Sequence, residues 1–185
     1  LRRVFLAVSV TKFKYIYDLF NFTMGIHKLS LDEFDEIDYE LIAIHTSLED
    51  FRLAYFINQQ LPIILSRSND EIGVTTKEGE AMFAKFGFED VSKDINWTLI
   101  QNKNEIIVRK KSDDQNLFLD ENVEINNKVY LLPELKKVDF LLKIENNFST
   151  YNLEEIIQKL NNIDWISTVY EVDPDSIKSK NNLIF

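Results

Sequence analysis

The chain of 185 residues contains no cysteine, only four glycines and three prolines, and only two histidines. The lack of cysteine excludes disulfides, thiolate metal sites and cysteine nucleophiles. Four glycines are too few for a glycine-rich nucleotide-binding loop, and no apolar run nears the roughly 18 residues of a membrane span. Because HExxH, P-loop and Ser-His-Asp patterns are also missing, the sequence indicates no enzyme class and predicts neither a cofactor nor a metal ion.

The charge balance is acidic, with 21 Lys and Arg residues against 31 Asp and Glu residues and a net charge of -10. An excess of negative charge repels a phosphate backbone, so we expect no nucleic-acid partner. Apolar residues make up 45% of the chain and aromatic residues 12%, which is enough to build a core. The composition therefore predicts an acidic globular protein with no membrane contact, whose protein partner would be basic.

The first 23 residues differ from the rest, because they carry four basic residues and one acidic residue and precede the first methionine, Met24. A secretory signal would need a longer apolar run than Val4–Val10 and a small-residue cleavage site. An amphipathic membrane-surface segment is a second alternative. We favour translated DNA upstream of a start at Met24, or a start at a non-Met codon. Residues 1–23 then need not belong to the native protein, and residues 24–185 form a single domain.

Residues 32–40 are strongly acidic. Such a run usually forms a solvated face that keeps a protein soluble. A calcium site would need a glycine turn and the EF-hand spacing, and both are missing. We therefore expect this segment to contact a basic partner through Asp32, Glu33, Asp35 and Glu36.

Alternating or continuous apolar residues predict a series of strands. The run Leu41–Ile44 indicates a central buried strand, and Val138, Phe140, Leu142 and Ile144 are expected to share one face of another. The predicted strands cover residues 39–46, 63–65, 82–88, 96–101, 105–109, 128–132, 138–144 and 166–172.

Two segments have helical periodicity. Ser47 and Asp50 form a capping-box pattern that predicts a helix ending near Gln60, before Pro62. Its buried face is expected to include Phe51, Ala54, Tyr55 and Leu61, and Leu48, Phe56 and Ile57 are expected to widen it. Asn152 and Glu155 form a second capping box, and the helix that follows has a stripe at Leu153, Ile156, Ile157, Leu160 and Ile163.

The remaining segments are polar. Residues 111–127 are predicted to form a surface loop, and the tail 175–185 is expected to fray. Asparagines at presumed turns, together with the scarcity of glycine, indicate a base-composition bias rather than a function; they are Asn102, Asn104, Asn126, Asn127, Asn146, Asn147, Asn161 and Asn162. The order of elements predicts an α+β fold with a mainly antiparallel sheet and two principal helices on one face, a ferredoxin-like split βαβ plan with extra strands.

Residues 132–140 read LPELKKVDF. This stretch resembles the signature of the bacterial IPExxxVDY family, with matches at Pro133, Glu134, Val138 and Asp139, and with Phe140 in place of the tyrosine. Residues 44–60 also resemble the N-terminal region of that family, and the resemblance covers about residues 24–164. It implies a bacterial cytoplasmic protein but no activity, substrate or catalytic residue.

The physical chemistry of the motif gives it a structural interpretation. Pro133 lacks an N–H and so breaks a strand ladder, which leaves Glu134 at a bend where it can accept backbone N–H bonds. Asp139 lies within an apolar strand and must be exposed, paired or hydrogen-bonded. The lysines expected near it are Lys136, Lys137 and Lys143. The alternative is that Glu134 and Asp139 are a functional acidic pair, for which no nucleophile or metal ligand is evident.

A candidate ligand site lies where the first strand gives way to the first helix, a common ligand position in α/β architectures. It comprises His45, Thr46, Ser47, Glu49 and Asp50. Because two carboxylates already lie at the helix N-terminus, a phosphate is disfavoured there and a cation or an amine is the better ligand. The alternative is a half-exposed histidine beside two capping acids.

The segment Lys85-Phe86-Gly87-Phe88 is similar to the third strand of an RNA-recognition motif. The first predicted strand has no aromatic residue, however, and the net charge is of the wrong sign. We therefore expect Phe86 and Phe88 to be core residues.

These observations favour a non-enzymatic cytoplasmic domain that acts through a protein partner as an accessory or regulatory factor. The alternative is a small-molecule sensor that binds its ligand between sheet and helix. A third hypothesis is an enzyme that uses Glu134, Asp139 or His45.

If residues 1–23 are dispensable, a chain that begins at Met24 should unfold within a few degrees of the full chain, because no packing is lost. Thermal denaturation followed by circular dichroism would check this. A fall of ten degrees or more would mean that the segment packs on the domain.

Overall fold

The computed structural model describes residues 39–77, 79–110 and 123–185. The N-terminal extension and the acidic residues Asp32, Glu33, Asp35 and Glu36 lie outside the described residues. Over the described ranges the elements are β1 (Tyr39–Thr46), α1 (Asp50–Gln60), β2 (Ser66–Arg67), β3 (Ile72–Thr76), β4 (Gly79–Phe83), β5 (Lys85–Asp90), β6 (Ile95–Gln101), β7 (Lys103–Lys110), β8 (Val123–Tyr130), β9 (Phe140–Glu145), α2 (Leu153–Asn161) and β10 (Ile166–Val172), with 3-10 segments at Pro133–Leu135, Pro174–Ser176 and Lys180–Leu183.

The main sheet has six strands in the order β10-β1-β9-β6-β5-β2, and every neighbouring pair is antiparallel. Strand β1 lies between β9 and β10, which α2 connects, so this part of the sheet is a split βαβ unit. The predicted α+β class, with its mainly antiparallel sheet, is confirmed.

Both helices pack on one face of the sheet, as predicted. Ile42 and Ile44 of β1 and Leu142 of β9 lie in the same buried cluster as Leu53 and Ile57 of α1. From α2, Ile156 and Leu160 enter this cluster. The boundary of α1 at Gln60 and the cap of α2 by Asn152, whose side chain accepts a bond from the Glu155 N–H at 3.2 Å, agree with the sequence patterns.

The opposite face of the sheet is also covered, which the sequence patterns did not predict. The β3–β4 hairpin contributes Ile72 and Phe83 to a second buried cluster, together with Leu41 of β1 and Leu141 of β9. Strands β1 and β9 are consequently buried on both faces. This explains why their sequences are continuous apolar runs rather than alternating ones.

The prediction of a strand at residues 63–65 is wrong, because β2 contains only Ser66 and Arg67. The amide of Asn58 donates to the Leu65 carbonyl at 3.1 Å and accepts from the Leu65 N–H at 2.8 Å. Both backbone groups of Leu65 are therefore occupied by a side chain, and a strand ladder cannot include this residue.

The single strand predicted over residues 82–88 is divided at Ala84 into β4 and β5. Strand β4 leaves the main sheet to pair with β3, and it buries Phe83 while Met82 is 41% exposed. Alternation of apolar residues continued across the break, so periodicity alone could not locate it.

Part of the predicted loop over residues 111–127 is strand β8, which pairs with β7 in a separate two-stranded ribbon. Its segment Glu124-Ile125-Asn126-Asn127-Lys128 is mostly polar. Backbone pairing in a ribbon does not require an apolar face along the whole strand, so hydrophobic periodicity underestimated its length.

The C-terminal tail does not fray, contrary to the prediction. Ile177 and Leu183 are buried in the second cluster. The ammonium group of Lys143, itself only 5% exposed, donates to the Leu183 carbonyl at 2.9 Å. The tail thus covers part of the sheet, and it accounts for a buried lysine on β9.

The segment that carries the LPELKKVDF motif is held by one buried asparagine, Asn102, between β6 and β7. Its amide nitrogen donates to the carbonyls of Leu135 (2.8 Å) and Val138 (3.0 Å). Its amide oxygen accepts from the Leu132 N–H at 2.9 Å. The Asn102 backbone bonds to Leu131 and Asp139 as well. Asn102 is fully buried with its amide satisfied.

Val138 belongs to this held segment rather than to a strand. It precedes β9, its N–H bonds to the Leu135 carbonyl, and its side chain enters the second cluster. The prediction that Val138 shares a face with Phe140, Leu142 and Ile144 is therefore wrong, because those three side chains lie in the helix-side cluster.

Asn102→Ala should lower the free energy of unfolding by about 3 kcal/mol, because it leaves buried backbone groups of the motif segment without partners. Asn126→Ala, on the exposed face of β8, is the matched control and should change it by less than about 0.5 kcal/mol. Urea denaturation of both variants checks this. Equal stability of the two would show that the motif segment does not depend on Asn102.

Candidate functional site

The motif glutamate fixes the 3-10 segment Pro133–Leu135 to the C-terminal tail. The Glu134 carboxylate accepts from the Ser179 N–H at 3.1 Å and from the Ser179 hydroxyl at 2.6 Å. These bonds, chiefly the one from the hydroxyl, lower the pKa of Glu134. The expected backbone N–H bond is thus present, and its donor, Ser179, is 45 residues away along the chain.

The motif aspartate joins three parts of the chain. Asp139 Oδ2 accepts from the Thr46 N–H at 3.0 Å, and Oδ1 accepts from Lys103 Nζ at 2.6 Å. Asp139 was expected to pair with a lysine or with backbone N–H groups, and it does both. The lysine is Lys103, not Lys136, Lys137 or Lys143 as the sequence suggested.

The backbone explains why Asp139 reaches Thr46. The Asp139 N–H donates to the Ile44 carbonyl at 3.1 Å, which extends the β1–β9 pairing one residue before β9 begins. Thr46 lies two residues after Ile44 and so presents its N–H to the same side of β1. The Asp139 carboxylate therefore accepts from the Thr46 N–H, in the place of the backbone carbonyl that a longer β9 would present.

The predicted capping box of Ser47 and Asp50 is wrong. Helix α1 begins at Asp50, and Glu49 is its N-cap without a side-chain bond. Thr46 Oγ1 accepts from the Leu48 N–H at 3.1 Å, which closes the turn before the helix and leaves Ser47 exposed outside it. Asp50 instead accepts from the Phe51 N–H at 2.7 Å and from Arg67 Nη1 at 3.0 Å.

A cleft of about 500 Å³ opens between the end of the sheet and the start of α1. Residues from three separate segments line it: Thr46, Leu48, Glu49, Asp50, Phe51, Gln101, Lys103, Asp139 and Phe140. It brings together the motif aspartate and most of the ligand-candidate set, which are about 90 residues apart in sequence. We define it as the motif cleft.

Two of the predicted ligand residues do not line the motif cleft. The His45 ring stacks on Tyr170 with centroids 5.7 Å apart, and His45 Nδ1 lies 3.9 Å from Asp139 Oδ2. Ser47 is exposed beside the turn. Glu134 lies in a different place, on the tail, so the structure does not join Glu134 and Asp139 into an acidic pair.

The motif cleft has an acidic lining. Three carboxylates, those of Glu49, Asp50 and Asp139, line it together with one ammonium group, that of Lys103. Arg67 reaches Asp50 from outside the lining. Carboxylates therefore outnumber ammonium groups in the lining, although Asp50 and Asp139 are each paired with a cation.

Large apolar side chains are exposed beside the cleft. Phe51 of α1, which lines the cleft, is 58% exposed, and Tyr55, one helical turn further on, is 59% exposed. Trp165 is 65% exposed. The Trp165 carbonyl accepts from the hydroxyl of Thr46, which lines the cleft, at 2.9 Å. We call these three residues the aromatic rim. The prediction that Phe51 and Tyr55 lie on the buried face of α1 is wrong, whereas Ala54 and Ile57 are buried as predicted, together with Leu53.

Phe86 is a core residue, as expected. It is 5% exposed within the helix-side cluster, and Phe88 packs against that cluster. The Arg67 guanidinium lies 5.9 Å from the centre of the Phe86 ring. These aromatic rings do not form an open stacking platform of the RNA-recognition type.

Within the described ranges, no three His, Asp or Glu side chains are placed to hold a metal ion. The helices of the same ranges are each too short or too polar to cross a membrane.

No protein-family model, curated protein or solved structure matches this chain. The resemblance to the IPExxxVDY family thus depends on the LPELKKVDF stretch and on residues 44–60.

Asp139→Asn and Glu134→Gln test whether the motif carboxylates stabilise the fold. Each should lower the free energy of unfolding at neutral pH by about 1–2 kcal/mol, because a charged acceptor is lost. Chemical denaturation measures this, and Glu105→Gln, an exposed carboxylate on β7, is the control. Stable variants that fail in the cell would contradict a purely structural role.

The Glu134 contribution should depend on pH. Since its pKa is lowered in the folded chain, the carboxylate stabilises the fold above the unfolded pKa, and this stabilisation is lost as the pH falls through the folded pKa. The stability difference between the wild type and Glu134→Gln should therefore shrink on acidification. A difference that stays constant from neutral pH to acid would show that ionisation of Glu134 is not involved.

Proposed function

We propose that this chain is a non-enzymatic protein-interaction domain that binds a basic segment of a partner protein at the motif cleft and the aromatic rim. The observation that carries the proposal is the exposure of Phe51, Tyr55 and Trp165 beside an acidic cleft. Aromatic residues are enriched at protein interfaces, where they supply large contact areas at a low entropic cost.

The acidic lining of the cleft supports a basic partner. Glu49, Asp50 and Asp139 outnumber Lys103 there, and the whole chain has a net charge of -10. A lysine or arginine of a partner would meet carboxylates in the cleft while its apolar neighbours contacted the rim. Charge complementarity of this kind speeds association and selects among partners.

The backbone of Trp165 supports the same surface. Its φ of 79° lies in the left-handed region, which is unfavourable for a bulky side chain. The ring gains little from packing, because it is 65% exposed. A strained residue with an exposed aromatic ring contributes little to the fold, which is consistent with a role in binding.

Selection from a displayed library of random peptides tests the proposal. We expect the selected peptides to be enriched in lysine or arginine next to apolar residues. Phe51→Ser and Tyr55→Ser should each weaken binding of these peptides about tenfold, which corresponds to about 1.4 kcal/mol, without lowering the melting temperature. Phe148→Ser is the matched control, since Phe148 is 82% exposed and lies away from the cleft in the turn before α2.

Trp165→Gly separates binding from folding. Glycine relieves the positive φ, so the melting temperature should stay the same or rise, while peptide binding should fall. Peptides that bind all four variants and the wild type equally, or a library that yields no binders, would contradict the proposed interaction.

A small-molecule sensor is the second candidate, and the size of the motif cleft favours it. A volume of about 500 Å³ lies in the range of ligand pockets. Thermal-shift measurements with arginine, lysine and polyamines would test it, since the carboxylates favour a cation. Stabilisation by one of these compounds, abolished in Asp139→Asn, would support the sensor over the peptide-binding domain.

We also propose a family and a cellular compartment for this chain. We infer from the match at Pro133, Glu134, Val138 and Asp139 that the chain is an IPExxxVDY protein of the bacterial cytoplasm.

A further inference from the structure

Strand β10 is at the edge of the six-stranded sheet and, among the described elements, pairs only with β1. An open edge presents unpaired N–H and C=O groups that can pair with a strand of another molecule. The direction of these groups follows from the register, because antiparallel residues alternate between facing the partner strand and facing away from it.

The outward-facing groups of β10 include those of Val169. Val169 lies opposite Ile44 of β1, and the Ile44 carbonyl points to the other side of β1, where it accepts from the Asp139 N–H at 3.1 Å. Ile44 and Val169 therefore do not bond to each other, and the N–H and C=O of Val169 point out from the sheet.

The amide of Asn161, the last residue of α2, occupies both of these groups. Its oxygen accepts from the Val169 N–H at 3.0 Å, and its nitrogen lies 3.4 Å from the Val169 carbonyl and 3.0 Å from the Ile157 carbonyl. A side-chain amide thus takes the place that the backbone of an added strand would take.

We propose that Asn161 closes the β10 edge against pairing with a second copy of this chain. The occupant that it excludes is β10 of the second copy, in an antiparallel pair about a two-fold axis through Val169. In that register Tyr170 lies opposite Thr168 of the second copy and Glu171 lies opposite Ser167. No like charges would meet in this register, and the barrier that we assign to it is the Asn161 amide.

Asn161→Ala tests this inference, with Asn58→Ala as the matched control. Asn58 makes the same two bonds to Leu65, which is not in a strand. Both variants lose comparable bonds, but only Asn161→Ala opens an edge. Sedimentation velocity should show a concentration-dependent dimer for Asn161→Ala and monomers for the wild type and Asn58→Ala. A folded Asn161→Ala that stays monomeric, or a dimeric wild type, would overturn the proposal.

Disulfide trapping checks the register independently, because the chain has no cysteine of its own. In the Asn161→Ala background, Thr168→Cys and Tyr170→Cys are prepared as separate proteins. The two positions would form a non-hydrogen-bonded pair with Cα atoms about 4.5 Å apart. Oxidation of the mixture should give a covalent dimer of the two different chains, and oxidation of either protein alone should give much less. Equal yields would overturn the Val169-centred pairing.

Discussion

The buried amide of Asn102 is the contact on which the placement of the motif depends. Segment 132–138 has no strand partner of its own, and its buried carbonyls and N–H groups would be unsatisfied without a side chain that both donates and accepts. Asn102 supplies both functions from the end of β6. Its backbone N–H also bonds to the Asp139 carbonyl, and this places the Asp139 carboxylate between Thr46 and Lys103. The motif cleft is therefore a consequence of one buried polar residue.

The same chemistry recurs through the chain. Asn58 bonds to both backbone groups of Leu65, Asn147 to both groups of Tyr151, and Asn161 accepts from the Val169 N–H. An asparagine amide has the donor and acceptor of a peptide group, so it can replace a neighbouring strand where the chain leaves the sheet. A protein with four glycines and three prolines has few residues specialised for turns, and its asparagines stabilise the irregular segments instead. Asn102, Asn147 and Asn161 thus have structural roles in addition to the composition bias that the sequence indicates.

Sequence patterns predicted those parts of the fold in which burial alone determines structure. The apolar runs located β1 and most of β9, and helical periodicity with an N-cap located α2. They failed where a side chain bonds to a backbone group. Asn58 bonds to both backbone groups of Leu65, which therefore does not join the sheet. The Thr46 hydroxyl accepts from the Leu48 N–H, and α1 begins only at Asp50. For the site, the need of Asp139 for a lysine or an N–H was predictable, but its partner Lys103 was not, because only the strand order brings β6 beside β9. The exposure of Phe51 and Tyr55 was missed because an apolar residue on a helix was assumed to be buried.

The position of the cleft couples binding to the whole fold. Its walls come from the ends of β1, β6 and β9, and the contact between Thr46 and Asp139 joins residues 93 positions apart. Such a site exists only when the central strands are paired in register, so a partially unfolded chain cannot offer it. Any partner that binds there favours the native state by mass action. Strands buried on both faces also give the sheet a rigid centre, which allows its end to carry an unfavourable φ at Trp165 and exposed aromatic rings. The unfavourable φ of Trp165 and the exposed rings of the aromatic rim thus lie at the end of the sheet where binding would offset their cost.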